Sequence, residues 1–419
     1  MSSSPTAADA VEPGAGGPAR TGRQLLVDPV FGPFVAGKLL STVGVWMHNI
    51  AAAIVVFELT GSALLVGAVS VGQFLPQLVL TPFSGARADR GDRRRQVVVG
   101  RLVTASGSAG LVLWSLTVGL DGVAGAVAVI VAATVVGIGF ALGGPAMGAI
   151  VPSLVPRSEL PAAVALSAAP FTIARVTGPA LGAVVVATAG ATVAFALAAA
   201  ANLLFAAVVR WLPVDLAPRR IARDTSIRAG WRYVRADAVL AGLLVGVATI
   251  GVGADPMITL TPSIAASLGR GSSFVGVLAS SFGIGAAATF LMLGVLRRRF
   301  GLERLATAGI AVLAIGMGLL AAAPTSALAM AAAVIGGTGM TIGLTSITTL
   351  VQQRVPDELR GRVMALWSVA FLGSRPIAAS TTGAVADLVS VTAALLVVVA
   401  VLAVGVAVTL STRATTPVD

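Results

Sequence analysis

Residues 63–119 read ALLVGAVSVGQFLPQLVLTPFSGARADRGDRRRQVVVGRLVTASGSAGLVLWSLTVG. An apolar run over 63–85 meets a knot of arginines (Arg87, Arg90, Arg93, Arg94 and Arg95), and a second apolar run follows over 96–119. About 20 apolar residues coil into a helix long enough to cross the ~30 Å hydrocarbon core of a bilayer. Arginines between two such runs belong at the membrane surface, where water and headgroups can solvate them. The stretch therefore reads as two membrane helices joined by a short basic loop.

The same alternation continues in both directions. Spans are expected at 31–57, 63–85, 96–119, 122–151, 162–189, 191–210, 238–264, 274–296, 303–323, 325–351, 363–387 and 390–411, numbered 1 to 12 in that order. Tight breaks such as Asp121-Gly122, Gly190-Ala191 and Pro324-Thr325 separate neighbours. An open sheet leaves backbone groups unpaired in lipid, and the chain lacks the ~10-residue alternation of a barrel. The expectation is an all-α membrane protein with twelve transmembrane helices. Composition agrees: 57% of the 419 residues are hydrophobic and only 11% charged, against roughly 25% charged in a soluble domain.

The formal charge of +11 does not mark a nucleic-acid partner. Such binders gather their charge on a soluble face, whereas these arginines lie at the ends of apolar runs. With no cysteine and a single histidine, disulfides and thiolate metal sites are excluded and a histidine metal site is not expected. No cofactor is expected either.

Orientation follows from lysine and arginine placement. Arg20 and Arg23, the loop 2–3 cluster, Arg157, the stretch from Arg210 to Arg235 (with Arg219, Arg220 and Arg223), Arg297–Arg299 with Arg304, Arg354–Arg362 and Arg413 all fall on one side. Arg270 alone falls on the other. Both termini are therefore expected in the cytoplasm. Residues 1–24 read as a disordered cytoplasmic tail and not a signal peptide. Residues 25–210 form a first six-helix bundle, 211–237 a cytoplasmic linker with Pro213 and Pro218, 238–411 a second bundle, and 412–419 a short tail. Val155-Pro156-Arg157-Ser158-Glu159-Leu160 before span 5 is echoed by Val355-Pro356-Asp357-Glu358-Leu359 before span 11, and Arg175 is echoed by Arg375. Repeats at half the chain length suit two pseudo-symmetric bundles with a binding site between them.

Loop 2–3, Gly85-Ala86-Arg87-Ala88-Asp89-Arg90-Gly91-Asp92-Arg93-Arg94-Arg95, resembles the Gly-x-x-x-Asp-Arg-x-Gly-Arg-Arg/Lys signature of the major facilitator superfamily, with the second glycine one position early. The resemblance implies the major facilitator fold, and a conformational latch built from Gly85, Asp89, Arg90, Arg93 and Arg94. In span 5, Arg175-Val176-Thr177-Gly178-Pro179-Ala180-Leu181-Gly182-Ala183 resembles the antiporter element Gly-Pro-x-x-Gly-Gly at Gly178, Pro179 and Gly182, with Ala183 in place of the last glycine. Together with Glu58-Leu59-Thr60-Gly61-Ser62 and Val355–Val363, these segments are most similar to the enterobactin exporter and macrolide-efflux branch. The resemblance runs over residues 25–411 and implies export.

A charge inside a membrane span is costly unless it is paired or faces water, so each is a candidate for function. Asp255, before Pro256 in span 7, is the carboxylate well inside a span. It is the first candidate for carrying a coupling proton, with His48 in span 1 and Glu58 near its end as the others, since carboxyl and imidazole groups exchange protons readily. Asn49, Gln73, Gln77 and Arg375 are candidate cavity residues. Lys38 is expected to snorkel from span 1 to the interface, and Arg175 and Arg375 to act structurally or to contact an anionic substrate.

The sequence thus points to a bacterial inner-membrane efflux transporter. Its expected partners are a small amphipathic substrate (drug, antibiotic or siderophore), protons and the lipid bilayer, and it is expected to act as a monomer by rocker-switch proton antiport. An importer of a small metabolite or a transport-dead scaffold or sensor is the alternative. A membrane enzyme is disfavoured, because no catalytic cluster is visible.

Overall fold

The computed structural model describes residues 20–213 and 227–414, apart from the side chains of Asp89, Asp357, residues 227–229 and residues 413–414. The expected tail up to residue 19, Pro218, Arg219, Arg220 and Arg223 of the linker, and residues 415–419 lie outside the described residues. Among the described residues, twelve helices are long and apolar enough to cross a membrane. Spans 1 to 6 occupy Phe31–Thr60, Ala63–Arg90, Arg93–Thr117, Gly122–Ile150, Leu160–Ala189 and Ala191–Trp211. Span 7 is Ala238–Ala254, continued by the short helices Pro256–Thr259 and Thr261–Ser267. Spans 8 to 12 occupy Ser272–Phe300, Leu302–Ala321, Ser326–Arg354, Asp357–Leu388 and Val391–Ala414.

Local chemistry sets the ends. Ser62, Asp92, Asp237 and Thr325 each accept a backbone N–H from the first turn of spans 2, 3, 7 and 10, satisfying donors that a helix start leaves open. Span 1 stops at Gly61, whose φ of 64° is left-handed, a conformation open to glycine at little cost. Prolines interrupt spans 2, 4, 5 and 11. The Asp255-Pro256 step breaks span 7 near its middle, since proline has no N–H to continue the ladder.

The structure extends the helical regions past the boundaries expected from sequence. Residues 20–24, placed in the tail by composition, carry a short helix Gly22–Leu26 with a Thr21–Gln24 capping box. Arg20 ties this helix to the Glu159 carboxylate at 2.7 Å and to Asp28 at 2.5 Å. The linker holds a helix, Ile227–Ala236, in which Gly230 abuts Arg362 of span 11. Span 12 runs to Ala414.

Spans 1–6 and 7–12 make two bundles with matching seams. In lipid, helices are drawn together by close packing and not by a hydrophobic gain, which favours small residues at contacts. Span 4 carries Gly137, Gly139 and Gly143, and span 10 carries Gly337, Gly339 and Gly343. A Cβ on Gly100 of span 3 would lie 2.6 Å from the Gly143 nitrogen, and one on Gly309 of span 9 only 2.1 Å from the Gly343 nitrogen. The first bundle's interior divides into two apolar clusters, around Phe31, Phe34 and Phe205 at the arginine-rich end and around Val56, Val129 and Phe195 towards the other. The second bundle has one continuous core around Leu243, Ile310 and Leu402.

Candidate functional site

The two bundles meet most closely at the end away from the arginine loops. Ile50 and Ile54 of span 1 and Ala183 of span 5 pack with Ala265, Val275 and Ala279 of spans 7 and 8 in a buried cluster drawn from both halves. On one flank span 5 meets span 8, where the Ser280 hydroxyl donates to the Val176 carbonyl at 2.8 Å. On the other, span 2 meets span 11. There the Asp387 carboxylate accepts the backbone N–H groups of Ala63 (2.7 Å) and Leu64 (3.1 Å) and the Ser62 hydroxyl (2.5 Å). An acid of the second half thus caps a helix of the first, where its charge also suits the positive helix end. Towards the arginine-rich end the halves part. A cavity of about 260 Å³ opens between Gln77, Thr81 and Gly85 of span 2 and Ala365, Ser368 and Leu372 of span 11.

Between the seal and this cleft, Trp46, Asn49, Arg175, Pro179, Met257, Phe282 and Arg375 line a small cavity shared by both halves. Arg375 is 7% exposed. Its guanidinium stacks 4.4 Å from the Phe74 ring across the interface and 5.7 Å from Phe371 on its own helix, and its Nε has no partner. Arg175 reaches from the first half over Phe282 at 5.4 Å and donates to the Met340 sulfur at 2.7 Å. Asp255 lies fully buried near Arg375. One of its oxygens accepts the Thr259 hydroxyl at 2.8 Å and the other has no partner. The Thr259 hydroxyl also approaches Ser70 of span 2 at 3.4 Å, linking the carboxylate to the opposite half.

Of the residues singled out from sequence, Asp255, Asn49, Arg175, Pro179 and Arg375 converge here. Gly178 and Gly182 lie on the face of span 5 that presses on span 1, where added Cβ atoms would meet Trp46 and Ile50. His48 turns the other way. Its Nδ1 pairs with the Ser108 hydroxyl at 3.1 Å and its ring packs 5.1 Å from Phe195, inside its own bundle. Glu58 is exposed at the sealed end. Gln77 borders the open cleft and donates to the Gln73 carbonyl at 2.9 Å. Lys38 donates from its Nζ to the Ser167 carbonyl of span 5 at 2.6 Å. In loop 2–3, Arg93 donates to the Ala88 and Ala149 carbonyls and Arg94 to the Arg210 carbonyl, holding helix ends of their own half. Arg90 is exposed and Gly85 faces the cleft. The Asp89 side chain lies outside the described residues.

Sequence reading missed Trp46, Phe74, Phe282 and Thr259, which carry no charge to draw notice. Helical spacing was the available signal: Trp46 precedes Asn49 by three residues, Asp255 precedes Thr259 by four and Phe371 precedes Arg375 by four, so each pair shares a face.

A family model described as transmembrane secretion effector matches residues 25–417. The chain is similar to the enterobactin exporter EntS of Citrobacter koseri, 27% identical over 371 residues and 86% of each chain. It is 26% identical over 374 residues to EntS of Shigella boydii serotype 4, again covering 86% of each. Among solved structures, a D-xylose–proton symporter superposes with a TM-score of 0.74 at 15% identity, covering 93% of this chain and 98% of that one. A bacterial homologue of the iron transporter ferroportin in the inward-facing state gives 0.72 at 14% identity, covering 91% and 98%. The resemblance expected from loop 2–3 is thus met by sequence and fold alike, and the chain belongs to the transmembrane secretion effector family of major facilitator transporters.

Proposed function

We propose that this transporter exports a small amphipathic molecule (a drug, antibiotic or siderophore) from a bacterial cytoplasm by rocker-switch antiport against protons. The observation that carries the reading is the small cavity shared by both halves, roofed by the two-half apolar cluster, with a separate cleft between spans 2 and 11 towards the arginine-rich end. Positive loops favour the cytoplasmic face, which puts that cleft and both termini in the cytoplasm of a cell with the protein in its inner membrane. Export is supported by the names of the relatives, which are exporters. The cavity wall is mostly aliphatic and aromatic, which suits an amphipathic cargo better than a sugar needing many hydrogen bonds.

Asp255 is our candidate for the proton carrier. It is buried beside the cavity, one oxygen is unpartnered, and Thr259 connects it to Ser70 across the interface. His48, enclosed in its own bundle, and Glu58, exposed at the sealed end, lack that position. Proton uptake from outside would discharge Asp255 and let the cavity turn inward; release to the cytoplasm would restore its charge for the next cargo. Gly85, Asp89, Arg90, Arg93 and Arg94 are proposed to latch the halves at the cytoplasmic end when the cavity faces out. The working unit is proposed to be a monomer.

The test is transport in proteoliposomes with an imposed pH gradient, using a panel of lipophilic antibiotics and siderophores. Accumulation against the substrate gradient only when ΔpH is present, lost in Asp255→Asn protein that remains folded, supports the reading. Unchanged ΔpH-driven transport in the variant makes Asp255 structural, and movement with the proton would make the protein an importer.

A further inference from the structure

We propose that Arg175 and Arg375 form an anion site at the meeting of the two halves, and that the transported molecule is an amphipathic anion. The inference rests on the reading that this cavity carries cargo. The two guanidiniums line one cavity, one from span 5 and one from span 11. The described ion pairs are Arg20–Asp28, Arg20–Glu159 and Arg354–Asp237, all away from this cavity. Arg175 has a thioether and a ring as neighbours. Arg375 has two rings and keeps an unpartnered Nε. Asp255 interacts with Arg375 from beyond ion-pair distance and spends one oxygen on Thr259.

Two cations, Arg375 buried and Arg175 partly buried, therefore line one small cavity, with a single buried carboxylate near Arg375. Cations so placed are unfavourable alone and call for a counter-charge. A guanidinium offers a planar fork of N–H donors matched to carboxylate, sulfonate or phosphate oxygens. The rings of Trp46 and Phe282 line the same space and would receive the apolar body of the ligand. An oxyanion between Arg175 and Arg375 would also remove the repulsion between the halves, so that cargo itself would favour their joint movement.

The test uses purified full-length protein in dodecyl maltoside and four probes sharing one ring system: 2-naphthoate, 2-naphthalenesulfonate, neutral 2-naphthamide and cationic 2-naphthylmethylammonium. Affinities come from tryptophan quenching and from thermal stabilisation relative to each variant's own midpoint. Both anions are expected to bind at least about tenfold more tightly than the amide, a difference of about 1.4 kcal/mol. Arg175→Gln and Arg375→Gln are each expected to abolish that preference, while Arg→Lys at either position keeps part of it. Equal or better binding by the amide or the cation, no response to the anions beyond that of the amide, or a preference unchanged in both glutamine variants overturns the proposal. Displacement by phosphatidylglycerol but by neither soluble anion would make a lipid the occupant and overturn it as a cargo site. Charge preference in detergent has no direction and needs no ΔpH, so it is independent of the efflux experiment.

Discussion

Arg20 shows what a single side chain outside the membrane contributes. Its guanidinium joins the chain ahead of span 1 to the loop before span 5, through Glu159 and Asp28. The Arg20 side chain holds the Glu159 carboxyl below the usual range. Burial pushes the Asp28 carboxyl up, but the Phe31 and Val30 amides and Arg20 outweigh it, and the net shift is also downward. A depressed folded-state value gives stability that is complete above the unfolded carboxylate value of about 4 and is lost as pH falls through the folded value. Thermal unfolding in detergent should therefore show a midpoint that declines below about pH 4. Arg20→Gln should lower the midpoint at neutral pH by about 2–4 °C and flatten that acid decline; an unchanged acid limb would assign it to other carboxylates. At this scale the sequence was legible for charge and illegible for direction. Asp255 and His48 lie at similar depth, and depth alone does not tell which faces the gap between halves. The difference comes from the Ser108 and Phe195 surroundings of His48, contacts between distant spans that no local pattern records.

Helices pair here by glycine seams, repeated in both halves. Gly137, Gly139 and Gly143 recur 200 residues later as Gly337, Gly339 and Gly343, matching the offset of Arg175 and Arg375. The spans themselves, their order and the break at Asp255-Pro256 could be read from hydropathy and proline placement. The seams were obscured because 49 glycines are spread through the chain, so that spacing alone does not separate a contact from a bystander. Gly309→Leu would drive a side chain into the Gly343 backbone. It should destabilise the second bundle by at least about 1–3 kcal/mol, read as loss of monodisperse protein on size-exclusion chromatography. Gly294→Leu, at a glycine with open space around it, should elute as the parent does. Equal tolerance of both changes would show that the seam can spread apart.

For the whole molecule the decisive equilibrium is between opening at one end and at the other. Twelve helices in two halves were legible from apolar runs and the repeat; which end is closed was not, because it depends on contacts between the halves. Asp387 is one of the groups that define the closed end, and opening there must pull its carboxylate from the start of span 2. Asp387→Ala should remove a cap worth about 0.5–2 kcal/mol and shift the population by roughly two- to thirtyfold towards opening at that end. Because the chain has no cysteine, a thiol placed at Ala279 reports this as faster alkylation by a membrane-impermeant reagent added from outside. No acceleration would mean that the seal is held by the apolar cluster alone. The imbalance of two guanidiniums against one carboxylate has an electrical consequence as well. On the proposed cycle the empty site returns with Asp255 protonated, so its two guanidiniums would carry two positive charges partway across the membrane. On the outward step Asp255 is ionised, and a monovalent anionic cargo would leave the site neutral, so on this proposal the loaded site would reorient without moving charge while the empty one would move it. A charge crossing the full field is worth about 2.3 kcal/mol per 100 mV, and an interior-negative voltage would then draw the empty site towards the cytoplasmic face, where the proposed export begins.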